Sequence, residues 1–145
     1  MCLQFIETID NKRKFAYKIL YRDGKDLYTP YACMKIEEDT TIWQDASKVT
    51  ELGYFSLQRG MNLSIDKNEK KFCYHTVIYN RKHKGLISVY LNKKDAIDEM
   101  KTFSINHEIW YIEIRDKKIN IGKDYCGHKC ALMQEFRLVR KLEVN

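Results

Sequence analysis

The stretch EIWYIEIR at residues 108–115 is the clearest strand signal in this chain. It is dense in β-branched and aromatic residues, which suit a pleated, half-buried surface, and Asp116-Lys117-Lys118 turns the chain after it. The segment FAYKILYR at residues 15–22 has the same character and runs into the turn pair Asp23-Gly24. Residues 27–31 then predict a returning strand, with Pro30 near its end, so we expect an N-terminal hairpin.

Further strands follow from the same reasoning. GYFSL at residues 53–57 predicts a short strand. Residues 72–79 and 86–91 flank a polar turn at 80–85, which predicts a second hairpin. The final segment, residues 134–144, predicts a strand whose apolar residues share one face, with Arg140 among them. These apolar residues are Phe136, Leu138, Leu142 and Val144.

One helix is predicted between the strand regions 86–91 and 108–115. Asn92 is a suitable N-cap, and Ala96, Ile97 and Met100 form an apolar stripe along residues 93–103. Strands dominate and short turns join them, so the fold class is α+β: a mainly antiparallel sheet with one or two packed helices. With 145 residues, one proline and six glycines, the chain is expected to form a single compact domain over residues 1–145.

The charge of the chain is concentrated in its second part. Residues 1–65 hold nine Lys/Arg and nine Asp/Glu, whereas residues 66–145 hold seventeen against eleven and account for the net charge of +6. A one-sided basic region with interleaved tyrosines (Tyr74, Tyr79, Tyr90, Tyr111 and Tyr125) points to an anionic partner, and the bland alternative is a solubilising surface with half-buried tyrosines. The candidate binding residues are Lys70, Lys71, Arg81, Lys82, Lys84, Lys93, Lys94, Arg137, Arg140 and Lys141.

A metal site is a second, minor hypothesis. In an extended segment, Cys126, His128 and Cys130 project to one face, where two thiolates and an imidazole suit zinc. Cys73-Tyr74-His75 has the same alternating form and could supply the fourth ligand of such a site. C-x-H-x-C is not a common structural zinc spacing, so the simpler interpretation is a polar loop with small thiols, and no metal or cofactor is predicted.

Other classes of function find little support in the sequence. There is no glycine-rich phosphate loop, no HExxH and no Ser/His/Asp order. The longest apolar runs are too short to span a bilayer, and Met1 to Phe5 lacks a secretory signal. We therefore expect a protein with reduced thiols in the cytoplasm of a host cell, without a membrane partner.

Several segments resemble a loose group of short, uncharacterised phage and bacterial proteins of mobile elements that begin MCL. The resemblance rests on Met1-Cys2-Leu3, on residues 16–21 with the hairpin after them, and on residues 111–114 and 119–122. The chain departs from the group at residues 53–57, where a glycine- and histidine-rich segment would be expected. The resemblance implies a setting in which small proteins block host defence, as anti-CRISPR proteins do by binding an effector or its guide RNA.

These observations favour a small, basic, non-enzymatic binding protein that docks on RNA, DNA or a nucleoprotein complex, or on a host protein, and inhibits a host defence system. Two alternatives stay open. One is a small ADP-ribosyltransferase-like enzyme, because residues 90–96 resemble a strand-to-helix segment of that fold and His75-Thr76 resembles its histidine. The other is a zinc-stabilised interaction module. No catalytic residue is predicted.

Overall fold

The computed structural model describes residues 4–29, 34–48, 86–103, 106–124 and 126–144, which form one antiparallel sheet and one α-helix. The strands are β1 (Gln4–Asp10), β2 (Phe15–Asp23), β3 (Asp26–Tyr28), β4 (Lys35–Ile36), β5 (Trp43–Asp45), β6 (Ile87–Tyr90), β7 (His107–Ile114), β8 (Lys118–Lys123), β9 (Lys129–Met133) and β10 (Glu135–Lys141). The helix α1 is Lys93–Met100, and a short 3₁₀ turn covers Ala46–Lys48.

The sheet is centred on the two strands with the strongest sequence signals. Its order is β1-β8-β9-β6-β2-β7-β10-β5, with β3 beside β2 and β4 beside β3. β2 and β7 pair antiparallel over seven residues, from Phe15 with Glu113 to Tyr21 with His107. Strands dominate the described residues, so the predicted antiparallel sheet is confirmed, while the expected α+β balance is matched only roughly.

Both faces of the sheet carry apolar residues, because successive side chains of a strand point to opposite sides. On one face, Ala16 and Leu20 of β2 join Ile112 of β7 in a core that also includes Ala46 and Ile9, near the two edges of the sheet. The sheet therefore curves around this first core. The other face carries a second cluster beneath α1, formed by Ile19, Tyr90, Ala96, Ile109, Cys130 and Leu142.

The predicted N-terminal hairpin is confirmed. β2 and β3 pair from Tyr21 with Tyr28 to Asp23 with Asp26. The turn between them needs a left-handed backbone at Gly24 (φ +59°), a conformation that glycine adopts without steric cost. β3 ends at Tyr28, and Pro30 lies outside the described residues.

The predicted helix is present but shorter than the sequence indicated. It ends at Met100 rather than at residue 103, although Ala96 is fully buried and Ile97 and Met100 pack on the second cluster as expected. Asn92 occupies the N-cap position without a capping hydrogen bond from its side chain. Its Nδ2 instead donates to Asp95 Oδ2 at 3.3 Å, so the side chain contributes by a contact within the first turn.

Three strands at one side of the sheet were not predicted. β1 pairs with β8, β8 pairs with β9, and β9 connects them to β6. β1 and β8 carry polar side chains at their exposed positions, and β1 lies at the edge of the sheet, whereas β9 is a short and mostly buried apolar run. The residues after Asp116 therefore start a strand directly, where only a turn was expected.

The final strand differs from the prediction in an informative way. Phe136 and Leu138 belong to the first core, whereas Leu142 and Val144 contact the second cluster on the opposite face. The four residues do not share one face because the pairing register of β10 with β7 shifts between Leu138 and Arg140. This β-bulge adds one residue and reverses the side-chain alternation after it.

Lys18 is buried at the position where the backbone pairing between β2 and β6 ends. These strands have one recorded backbone pair, Tyr17 with Tyr90. Lys18 is 5% exposed, and its Nζ donates to the Ser88 carbonyl oxygen at 2.7 Å. The amine thus provides a hydrogen-bond donor for a carbonyl of β6. Its burial is costly, because desolvation lowers the pKa of Lys18 from 10.5 to about 8, although Cys130 acts in the opposite direction.

Some predicted elements lie outside the described residues: the strands at 53–57 and 72–79 and the turn at 80–85. The expected strand at 86–91 is present as β6 (Ile87–Tyr90). Within the described ranges, no helix is long and apolar enough to cross a membrane.

Candidate nucleic-acid interface

Two rows of side chains cross the sheet on the face that also carries α1. Cross-strand partners share a face, so the pairings define each row. The first row runs from Tyr17 to Tyr111 and then to Arg140. The second row runs from Phe15 through Glu113 and Arg137 to Trp43. We call these seven residues the aromatic–arginine face.

The β-bulge in β10 decides that Arg140 belongs to this face. Leu138 pairs with Ile112 and Arg140 pairs with Tyr111, so Val139 is the extra residue. In a regular strand Val139 would lie opposite Tyr111, and Arg140 would point towards the first core. Bulges are frequent near functional sites because they re-aim one side chain, and here the re-aimed side chain is a cation.

The rings of the first row and Phe15 form a continuous aromatic surface. Phe15 stacks on Tyr111 with ring centroids 4.9 Å apart and planes 19° from parallel. Tyr17 lies 5.4 Å from Tyr111 on the other side in a tilted arrangement. Phe15 is 36% exposed, which is unusual for a phenylalanine in a central strand. The tyrosines are half-buried because the second cluster packs against them.

Cations lie over these rings. The guanidinium of Arg140 is 5.4 Å from the centre of the Tyr111 ring, and Lys14 Nζ is 5.6 Å from that of Phe15. At the other end of the face, Arg115 and Arg137 approach the Trp43 ring to 4.0 and 5.4 Å. All four distances fall within the range of cation–π attraction.

The four cations differ in how far their charge is compensated. Arg137 pairs with Glu113 at 2.5 Å, and Arg115 pairs with Glu135 at 2.6 Å. Neither Lys14 nor Arg140 forms an ion pair with a carboxylate among the described residues, and both are exposed. The positive charge that no ion pair compensates therefore lies on Arg140, within the face, and on Lys14, beside it.

The structure separates the predicted binding residues into groups. Arg137 and Arg140 lie on the aromatic–arginine face, whereas Lys141 turns away from it and pairs with Glu108 at 3.1 Å. Lys93 and Lys94 are exposed in the first turn of α1. The other predicted residues, Lys70, Lys71, Arg81, Lys82 and Lys84, lie outside the described residues and stay predictions.

Sequence reasoning missed several members of the face. The sequence assigned Phe15 and Tyr17 to a strand and gave no role to Trp43. Tyr111 is the one aromatic residue of the face that was noted among the tyrosines between the basic clusters. Tyr90 belongs to that group in sequence but is 1% exposed, in the second cluster. A sequence signal did exist for Lys14 and Phe15, a cation next to an aromatic residue at a strand start, but it is too common to be specific.

A second group of polar side chains meets where α1 approaches the turn between β8 and β9. Asp124 anchors this turn, because its Oδ1 accepts hydrogen bonds from the backbone N–H groups of Cys126 and His128, both at 2.9 Å. Gly127 supplies the left-handed backbone between them (φ +82°). Asp124 Oδ2 lies 2.8 Å from His128 Nδ1, and Glu99 Oε2 of α1 lies 3.2 Å from the same atom.

The electrostatics of this group are dominated by carboxylates. Burial raises the pKa of Glu99 and Asp124 raises it further, although His128 opposes both effects. Desolvation lowers the pKa of His128, but the hydrogen bond and charge of Asp124, with Glu99 and Asp95, outweigh it and leave the pKa above its usual value. Desolvation raises the pKa of the Cys126 thiol, and the negative charges of Glu99 and Asp124 raise it further. The thiol is therefore not activated as a nucleophile.

The predicted zinc ligands are only partly brought together. Cys126 and His128 are neighbours and are joined by Glu99, which the sequence did not indicate. Cys130 is excluded because it is fully buried in the second cluster, where its thiol donates to the His128 carbonyl at 3.4 Å. The segment is a tight turn at Gly127 followed by a strand, not one extended run, so the three residues do not share a face. Cys73 and His75 lie outside the described residues.

A pocket opens between the β1–β2 turn and β8. It has a volume of about 490 Å³ and is lined by Ile9, Asp10, Asn11, Lys12, Arg13, Leu91, Ile119, Ile121 and Lys129. Arg13 is engaged there, because its Nη1 donates to the Leu91 carbonyl at 3.1 Å. The titratable residues of this lining are Asp10, Lys12, Arg13 and Lys129.

No protein-family model matches this chain, and no curated protein or solved structure is significantly similar to it. The functional interpretation therefore depends on the geometry of these surfaces.

Proposed function

We propose that this chain is a small, non-enzymatic binding protein that holds a single-stranded nucleic acid on its aromatic–arginine face. The observation that carries the proposal is the stacked Phe15–Tyr111 pair, with Arg140 over Tyr111 and Lys14 over Phe15. Unstacked bases would pack against these aromatic rings. Phosphates would bind to Lys14 and Arg140, which form no ion pair with a carboxylate among the described residues.

The chemistry of the face favours single strands over duplexes. A single strand offers bases that are already separated, and every base has a π-surface that can pack against an exposed aromatic ring such as that of Phe15. A duplex hides its bases in stacks, and reading it in the major groove requires a protruding helix or ribbon. In the described part of the face, the aromatic and arginine side chains stand on strands of the sheet. Binding without strong sequence preference follows, because stacking and phosphate contacts carry little sequence information.

The face is held rigid by its own ion pairs. Glu113 fixes Arg137 beside Trp43, and Glu135 fixes Arg115 over the same ring. Groups held on strands by neighbouring contacts lose little entropy when a ligand binds. The Trp43 end of the face thus supplies an ordered stacking position, while Lys14 and Arg140 supply the attraction for phosphates.

The biological setting stays part of the proposal. The resemblance to mobile-element proteins suggests that the nucleic acid belongs to a nucleoprotein complex of a host defence system, which this protein would inhibit. The basic segment at residues 81–84 would extend the contact. Of the features behind the transferase alternative, the strand-to-helix segment at residues 90–96 is present as the end of β6 and the start of α1, whereas His75 and Thr76 lie outside the described residues.

Fluorescence anisotropy with short labelled oligonucleotides tests the proposed function. We expect saturable binding of single-stranded RNA or DNA that weakens with salt, and weaker binding of a hairpin duplex of the same composition. Absence of saturable binding at low salt would refute the proposal. Tighter binding of the duplex would refute the stacking mechanism.

A further inference from the structure

The turn between β8 and β9 holds more acceptors than donors. Around His128 Nδ1, Asp124 Oδ2 lies at 2.8 Å and Glu99 Oε2 at 3.2 Å. Asp95, one turn before Glu99 in α1, is occupied, since its Oδ2 accepts the backbone N–H of Lys129 at 2.9 Å. Among the described residues, one imidazole is thus shared by two carboxylates.

Glu99 is the residue that this arrangement leaves unsatisfied. Its side chain is 13% exposed, and among the described residues its buried Oε2 has no hydrogen-bond donor of its own, since His128 Nδ1 lies closer to Asp124 Oδ2, at 2.8 Å, than to Glu99 Oε2, at 3.2 Å. A buried carboxylate oxygen without a donor is costly, so a native structure that contains one calls for an explanation such as a bound ion.

The remaining member of the group is a thiol. One ring nitrogen of His128, the Sγ of Cys126 and a carboxylate oxygen of Glu99 all lie within 4.8 Å of one another. A sulfur, a nitrogen and an oxygen donor in such a small volume match the ligand preference of zinc, which binds all three at about 2.0–2.3 Å. Calcium and magnesium prefer oxygen ligands alone, so the thiol argues against them.

We propose that Glu99, Cys126 and His128 bind a Zn²⁺ ion. The ion satisfies the orphaned oxygen of Glu99 and takes the place of the protons on the thiol and the imidazole, which are released to solvent on binding. Asp124 positions two of the ligands, because its Oδ1 holds the backbone N–H groups of Cys126 and His128. The exposed side of Cys126 provides the route of entry.

The site would clamp α1 to the β8–β9 turn. Glu99 lies in the last turn of α1, whereas Cys126 and His128 lie in the turn itself, so the ion would join parts of the chain about 27 residues apart, a separation at which closing a loop has a substantial entropic cost. The three protein ligands would hold the ion in place, and a water molecule would take its fourth coordination position. This inference is independent of nucleic-acid binding, since none of its ligands belongs to the aromatic–arginine face.

Titration with Co²⁺, a spectroscopic substitute for zinc, tests the proposal in the full-length, reduced protein after treatment with chelator. We expect one equivalent to bind, with d–d bands of a tetrahedral site and a sulfur-to-cobalt charge-transfer band, and Zn²⁺ to displace it. Cys126→Ser should abolish the charge-transfer band. Glu99→Gln should weaken binding by more than about tenfold while leaving that band at saturation.

Asp98→Asn is the matched control, because this carboxylate on the same helix is 43% exposed and lies outside the proposed site. It should retain the charge-transfer band and the cobalt affinity. Circular dichroism establishes that each variant is folded, and Glu99→Gln keeps the test valid if Cys126→Ser does not fold. Absence of saturable binding in the wild type, an unchanged band in Cys126→Ser, or unchanged affinity in Glu99→Gln would overturn the proposal.

Discussion

The guanidinium of Arg140 lies 5.4 Å from the centre of the Tyr111 ring, and this contact depends on the β-bulge between Leu138 and Arg140. The bulge moves a cation of the last strand onto the face that carries the exposed aromatic rings. It also moves Leu142 to the second cluster, beneath α1. One inserted residue thus serves both the proposed ligand surface and the packing of the C-terminal segment.

The first prediction concerns the charge of Arg140. Arg140→Gln should weaken binding of single-stranded oligonucleotides and reduce the slope of log affinity against log salt by about one, because one phosphate contact is lost. Lys25→Gln is the matched control, since Lys25 is exposed in the turn at the far end of β2. Anisotropy titrations at several salt concentrations measure both. Equal slopes for Arg140→Gln and the wild type would exclude Arg140 from the interface.

The second prediction separates stacking from charge. Phe15→Leu keeps an apolar side chain but removes the ring, so it should weaken binding by about 1–3 kcal/mol without changing the salt slope. The free energy of unfolding should change by less than about 1.5 kcal/mol, because the substitution nearly conserves volume. Anisotropy and urea denaturation provide the two measurements. Unchanged affinity would show that Phe15 contacts no base.

The third prediction uses the buried amine of Lys18. Its folded pKa of about 8 lies below the value of 10.5 for the unfolded chain. The unfolded state therefore binds more protons between these values, so this residue makes stability rise with pH across that window. The contribution is about 3 kcal/mol in total, at 1.4 kcal/mol per pKa unit. Below pH 8 the full penalty of burying the charged amine is present.

The measurement is a difference between two pH curves of unfolding free energy, for the wild type and for Lys18→Met. The raised pKa values of buried Cys130 and Tyr21 act in the opposite direction at high pH, so the wild-type curve alone does not isolate Lys18. The wild type should gain stability relative to Lys18→Met from about pH 8 upwards. Parallel curves would show that Lys18 has an ordinary pKa. Lys129→Met, at an exposed lysine, should run parallel to the wild type.

The fourth prediction concerns the turn that Asp124 anchors. Asp124→Ala removes the acceptor of two backbone N–H groups and of the His128 ring, so it should lower the unfolding free energy by at least about 2 kcal/mol. Asp124→Asn should cost less, because it keeps an oxygen for the backbone N–H groups. Asp98→Ala, which removes only a partly exposed pair with Lys101 at 3.9 Å, is the control. A loss no larger than that of the control would contradict the anchoring role.

The fifth prediction tests the apolar stripe of α1. Ile97 and Met100 are half-buried against the second cluster, so truncating either to alanine should cost about 2 kcal/mol, the lower end of the range for core residues. Lys94→Ala, on the exposed side of the same helix, should have little effect on stability. Thermal and urea denaturation report both. Unchanged melting of the Ile97 and Met100 variants would show that α1 does not contribute to the core.

Local signals in the sequence were sufficient for the central elements. The aromatic and β-branched runs of β2 and β7 and the turn pair Asp23-Gly24 each act within a few residues, so they could be recognised without knowing the rest of the fold. The stripe of α1 is local in the same way. β1 lies at the edge of the sheet with β8 beside it, and both were missed because each holds few apolar residues among polar ones.

The candidate surfaces, in contrast, depend on contacts between distant parts of the chain. The position of Arg140 follows from a pairing register between β10 and β7, which no property of residues 138–140 alone specifies. Glu99 meets His128 only because α1 packs beside the β8–β9 turn. The sequence by itself determined the central strands β2 and β7, the helix α1 and the basic character of the second part of the chain. The tertiary structure decided which side chains meet, because register and packing are set by long-range burial rather than by local preference.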